Sequence, residues 1–232
     1  TKLGLEKKRP KLFRDLPAFP KEQLREQYTG GDIVIQACAD DEQVAFHAVR
    51  NLIRKGRNKV TMKWSQSGFA AIGDRMETPR NLFGFKDGTA NVTTEKDFDK
   101  VVWADSQDWM KNGSYMAVRR IIMHLETWDR TNLQEQENTF GRYKESGAPF
   151  GKKNEFDEVD LSLLPVDSHV RLAKEVDLPI LRRSYSYSDG IDPKTGQFDA
   201  GLLFIAFQKD PDRFVKIQTN LGADDKMNEY VT

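Results

Sequence analysis

Apolar positions change their period several times along this chain, and each change marks an element. Residues 32–39, DIVIQACA, form a short apolar run that predicts a strand. Asp40, Asp41 and Glu42 then read as a helix start. In EQVAFHAVRNLIRKG, Val44, Ala48 and Leu52 fall at helical spacing, and Phe46, Val49 and Ile53 widen the stripe. KVTMKWSQSGFA, residues 59–70, alternates and predicts a second strand. The first thirty residues are rich in proline and charge and read as an irregular connection.

A polar stretch through Lys100 reads as a loop, and a second strand–helix series begins near Ser114. YMAVRRIIMHLETW, rich in β-branched and large apolar residues, predicts a long central strand. DRTNLQEQENTFGRYKESG predicts a helix with Thr131 or Asn132 near its cap and Gly141 near its end. RRSYSYSDG and QFDAGLLFIAFQ predict two strands joined by the turn-rich GIDPKTG. PDRFVKIQTNLG predicts a last helix with Pro211 in its first turn. Helices on one face of mainly antiparallel sheets make the class α+β, and the two similar units suggest an architectural duplication without a residue-level repeat.

Composition narrows the function. The 232 residues suffice for one large domain or two small ones. Lys plus Arg and Asp plus Glu number 36 each, so the chain lacks the basic excess of a general nucleic-acid binder. No apolar run approaches the ~18 residues of a membrane span, and TKLGLEKKRP has no apolar signal-peptide core. The single cysteine, Cys38, excludes an intrachain disulfide and a thiolate zinc site; its apolar run predicts a small buried hydrophobe.

Candidate chemistry concentrates in GFKDGTAN, residues 84–91, where Asp87 stands in a glycine-flanked turn open to close approach by a bulky ligand. Alone, Asp-Gly is a common turn dipeptide. Downstream stand His169 in PVDSHVRLA and the pair Arg182 and Arg183 in LRRSYSYSDG. Neighbouring strand residues face opposite ways, so at most one of these arginines can serve the same site. His47 on the first helix and His124 in the long strand read as structural, and so by itself would His169.

This ordered set resembles the dye-decolourising haem peroxidases, and the match from TPRNLFGFKDGTAN onward is similar to their iron-transport-associated deferrochelatase/peroxidase branch. The resemblance spans nearly the whole chain and is densest from Thr78 to Phe207. It implies tandem ferredoxin-like halves of the dimeric α+β barrel type, residues 1–77 belonging to the first and 78–232 to the haem-binding second. The family's opening Gly-x-His-Gln-x-Gly-Ile strand and its glycine-rich final strand are absent from this stretch, so the chain reads as part of a longer protein.

The resemblance also implies roles. His169 is the axial ligand of haem iron, with haem b as cofactor and a carboxylate of unassigned position receiving its other ring N–H. Asp87 is the acid–base group for hydrogen peroxide; burial would raise its pKa, so a cation must offset that, and Arg182 is the matched one. Gly88, Thr89 and Ala90 lie along the haem edge, Arg142 pairs with a propionate, and Arg171 is a weaker propionate candidate. By its residues alone Arg142 also suits a helix C-terminus. An Asn-Pro-Arg segment of the relatives is replaced by Lys174-Glu175-Val176, which bears on propionate geometry. Trp103, Trp109, Trp128, Tyr115, Tyr143, Tyr185 and Tyr187 read as packing residues, some of which could relay electrons.

Three functions stay open at this level. One is a peroxidase acting on dye-like, phenolic or porphyrin substrates. The second releases or carries iron or haem with the tetrapyrrole intact. The third is an inactive αβ dimerisation module. The resemblance further implies a homo-oligomer, an extracytoplasmic location and iron-uptake permease and lipoprotein partners.

Overall fold

The computed structural model describes residues 4, 6–70, 77–105 and 109–232, and it is α+β. Its sheet is built on one long strand. β1 (Tyr115–Ile122) pairs antiparallel with β4 (Phe198–Gln208), from Tyr115 opposite Gln208 to Ile122 opposite Gly201. β2 (Leu181–Arg182) and β3 (Tyr185–Ile191) pair antiparallel with the other edge of β4, with a register shift between Ser188 and Ile191. β4 therefore takes partners on both edges, while β1 pairs with β4 on one side and, at its end, exchanges backbone hydrogen bonds between Ile122 and Thr232 on the other, with Met123 bridged to Val231. The apolar run ends sooner than expected: after Met123 the chain turns into α3 (Leu125–Trp128), burying Trp128.

Six α-helices accompany the sheet among the described residues. α1 (Glu42–Gly56) starts where the acidic run predicts, because the Asp41 carboxylate accepts from Gln43 and Val44 N–H. α4 (Leu133–Phe140) is capped by Asn132 and closed by Gly141 at φ 83°. α6 (Pro211–Asp224) has its proline in the first turn. Besides α3, two helices were not expected. α2 (Glu95–Val101) replaces loop, and its signal was Thr94, whose hydroxyl accepts from the Asp97 N–H and donates to the Asp97 carboxylate. α5 (His169–Glu175) follows Ser168.

The first seventy residues depart most from their pattern. Residues 32–39 form no strand, and 59–70 contribute only a bridge between Phe69 and Ser186. A strand exists only where a neighbour takes its backbone N–H and C=O groups, and no such neighbour lies beside these runs among the described residues. Their side chains stay outside: Ile33 is 72% exposed, and Phe46 on α1 is 63% exposed. Cys38 is exposed as well, its Sγ 3.2 Å from the Tyr185 hydroxyl, so the buried reading fails with the strand that would have covered it.

An aromatic cluster makes the densest core. Phe85 stacks on Phe140 at 3.9 Å between ring centres, Phe83 lies 4.3 Å from Trp128, and Trp128 meets Tyr230 edge-on. Such pairs add about 0.5–1.5 kcal/mol each beyond burial. Because Phe83 and Phe85 stand four and two residues before Asp87, this core also anchors the candidate turn. Phe85→Ala should cost about 3–5 kcal/mol, read as a lowered urea midpoint. An unchanged midpoint would show that the cluster is not the anchor.

Candidate active site

The Asp87 turn is fixed from inside before any ligand is considered. The Asn81 carboxamide oxygen accepts from the N–H of Phe83 and of Phe85, and Trp128 Nε1 donates to the Phe83 carbonyl. The Asp87 N–H donates to Pro79 O at 2.8 Å, and Gly88 takes φ 121°, where a side chain would be strained. Asn91 then ties the turn to the sheet edge twice: its Nδ2 donates to Arg182 O and its Oδ1 accepts from Arg182 N–H, both at 2.9 Å.

That tie brings Arg182 to the turn. Arg182 Nη1 donates to Asp87 Oδ1 at 2.7 Å across 95 residues of sequence, and both side chains are only partly exposed. Arg183 points elsewhere: its backbone N–H bonds to Ile205 O and its side chain meets the Tyr185 phenol. The alternation of a strand has separated the pair, as its geometry requires.

His169 opens α5 beside the C-terminal end of α4, with its ring 6.3 Å from that of Phe140. Its Nδ1 lies 2.6 Å from Oδ2 of Asp225, which is 4% exposed. The other oxygen of Asp225 accepts from Met227 N–H, and Lys226 N–H donates to Asp167 O, so the carboxylate is held on both sides. Burial pushes the His169 pKa down, but the charge and hydrogen bond of Asp225 outweigh it, leaving the pKa above its ordinary value. The Arg182 cation lowers it and the Asp87 carboxylate raises it, so the three groups share one electrostatic environment. Among the described residues Nε2 makes no hydrogen bond, and it is the nitrogen available to a metal ion.

Asp225 is the carboxylate behind the histidine that the sequence left unassigned. It lies 56 residues further on, and nothing in GADDKM announces it. The remaining candidates are distributed as follows. Thr89 Oγ1 donates to Glu155, and Ala90 is exposed. Arg142 is 8% exposed, with Nη1 donating to the carbonyls of Gly147 and Glu155. Arg171 pairs with Glu175 and donates to the carbonyls of Leu161 and Leu164, which places the divergent Lys174–Glu175 segment inside α5. His47 is exposed, and His124 Nε2 meets the Thr232 hydroxyl. Trp128, Tyr187 and Tyr115 are buried, whereas Trp103, Trp109 and Tyr143 are exposed.

The His169–Asp225 contact sets a pH dependence in the chain without cofactor. Because the folded pKa of His169 is raised, the pair's full stabilisation is present below the unfolded value of about 6.5 and is lost as pH rises through the higher folded value. Asp225→Asn keeps the cap on Met227 but removes the charge. The urea midpoint of the variant should lie below that of wild type at pH 5.5, and the gap should narrow toward pH 9. A gap independent of pH would show that the two groups are not electrostatically paired.

Comparisons with known proteins identify the family. The family signature described as Dyp-type peroxidase, C-terminal, matches residues 78–232, and that described as Dyp-type peroxidase, N-terminal, matches residues 1–70. A deferrochelatase of Escherichia coli strain K12 is 40% identical over 99% of this chain, as is one from Shigella boydii. The chain spans 59% of the length of these curated relatives. An X-ray generated oxyferrous complex of DtpA from Streptomyces lividans superposes with a TM-score of 0.91 at 36% identity, covering 98% of this chain and 67% of that one. A DyP-type peroxidase from Cellulomonas bogoriensis gives 0.91 at 33% identity, with the same coverage. With both family signatures matched, and with relatives of this identity covering almost all of its length, the chain belongs to the Dyp-type peroxidase family.

Proposed function

We propose that this chain forms the haem-binding and peroxide-handling part of a haem-b-dependent peroxidase that uses hydrogen peroxide to oxidise dye-like, phenolic or porphyrin substrates. The observation that carries the proposal is the Asp87–Arg182 pair lying within electrostatic reach of a histidine whose Nδ1 is tied to a buried carboxylate. A donor set of one imidazole with a free Nε2 fits a macrocycle that brings its own equatorial nitrogens. Bound haem would supply the iron centre that accepts oxidising equivalents from peroxide.

The residues divide the remaining work. His169 would hold the group through Nε2, while Asp225 fixes the ring and raises the basicity of the ligand. Gly88, Thr89 and Ala90 would line its edge, and Arg142 and Arg171 are the proposed cations for its propionates. Asp87 would take a proton from one peroxide oxygen and return it to the other, the oxygen that leaves. Arg182 would orient the Asp87 carboxylate through its 2.7 Å hydrogen bond and stabilise negative charge on the departing oxygen. Trp103, Trp109 and Tyr143 are exposed and would be the candidates to relay electrons from substrates too large to enter.

The relatives named deferrochelatase favour a second reading, removal of iron from haem with the tetrapyrrole intact. Under either reading, we propose an extracytoplasmic setting in iron acquisition, a homo-oligomer, and permease and lipoprotein partners. Product analysis separates the two: free iron with intact protoporphyrin marks iron release, and oxidised donor marks the peroxidase.

After haem reconstitution, His169→Ala should lose the haem absorption spectrum, whereas His47→Ala and His124→Ala should keep it. Normal haem affinity in His169→Ala would overturn the ligand assignment. Asp87→Asn preserves shape and should keep haem while slowing the peroxide-dependent change of the Soret band ~100- to 10,000-fold, with Arg182→Leu comparable. If Asp87→Asn reacts like wild type and Arg182→Leu alone fails, the chemistry belongs to Arg182. If neither change matters, the carrier reading replaces the enzyme.

A further inference from the structure

The Asp87 turn contains a second cation, and its disposal is built into the fold. Lys86 adjoins Asp87 in sequence, and a free ammonium there would compete with Arg182 for the carboxylate. Instead Lys86 Nζ donates to Glu155 Oε2 at 2.7 Å. The other oxygen, Oε1, accepts from the Thr89 hydroxyl at 2.8 Å, and the Thr78 hydroxyl bonds to the same carboxylate. Glu155 is 8% exposed. One buried carboxylate therefore grips the residues on both sides of Asp87-Gly88 and the start of the segment.

The loop that carries Glu155 is itself held. Buried Arg142 donates from Nη1 to Gly147 O at 2.6 Å and to Glu155 O at 2.9 Å. Gly147 lets that loop close on the turn, because a Cβ there would meet Lys86 Cδ at 2.8 Å and Glu155 Cγ at 3.3 Å. Charges end up partitioned as Lys86 with Glu155 and Arg182 with Asp87. Burial disfavours the charged form of Glu155, but its bonds to Lys86, Thr78 and Thr89 prevail and it titrates below the ordinary carboxylate range.

We propose that Glu155 is a positioning residue for Asp87: it withdraws Lys86 and clamps Thr89, leaving the Asp87 carboxylate to Arg182 alone. The inference rests on the reading of Asp87 as the acid–base group. It gives Arg142 a role through the loop carrying Glu155, independent of any contact with a propionate.

Glu155→Gln keeps the shape, loses the charge and leaves Lys86 without its partner. In the chain without haem, the amides of Asp87 and Asn91 should exchange hydrogen ~10-fold faster or more, with those of β4 unchanged. In the haem-loaded protein the peroxide-dependent Soret change should slow by ~10-fold in the Asp87 background and by less than ~2-fold in Asp87→Asn, since a residue acting through Asp87 has nothing left to position. Unchanged exchange at the turn would overturn the proposal. So would an equal slowing in both backgrounds, or a loss of protection in β4 as large as in the turn. If Asp87→Asn itself does not slow the reaction, the acid–base reading fails, and the exchange of the turn amides alone decides whether Glu155 holds it.

Discussion

Everything that places chemistry in this molecule depends on the antiparallel pairing of three strands onto β4. β4 uses both edges: β1 fills one, while β2 and β3 fill the other. The register with Ala206 fixes Arg182, and from there two bonds through Asn91 fix the distance between the sheet edge and the Asp87 turn. A one-residue slip would send Arg183 to Asp87 and Arg182 to the opposite face. Backbone hydrogen bonds thus determine which guanidinium meets the acid.

The turn receives a second, independent constraint from the aromatic cluster. Phe83 and Phe85 are almost fully buried against Trp128 and Phe140, and the Asn81 carboxamide holds their N–H groups from below. Phe140 ends α4, and α5 with His169 packs beside it, so one apolar core carries both the acid and the histidine. Polar constraints complete what packing begins. Asp225 receives the imidazole N–H side, Glu155 receives Lys86, and Asp87 receives Arg182. Each acid has one main partner, and charge neutrality at that scale is what allows so many ionised groups to stand near a protein interior.

Local signals in the sequence were enough for most of the second half. Asn132 and Gly141 announced the ends of α4, Pro211 the start of α6, and the apolar run QFDAGLLFIAFQ the strand that became the centre of the sheet. Asp87, Arg182 and His169 were candidates through the family resemblance, and of these the Asp87–Arg182 contact is a feature of the fold. Less legible was the first half. Residues 32–39 and 59–70 have the composition of strands, but composition supplies only propensity, and their polar backbone found no ladder.

The sequence by itself determined the helix caps, the glycine-flanked turn and the α+β class, because each is encoded within a few residues or by a periodic pattern, and it offered Asp87, Arg182 and His169 as candidates through the family resemblance. Tertiary structure alone decided that β4 takes partners on both edges, that Asp225 stands behind His169 and that Glu155 pairs with Lys86. Those contacts join residues 56 and 69 positions apart. A carboxylate acquires such a partner only when packing closes the loop between them, and no local pattern records that closure.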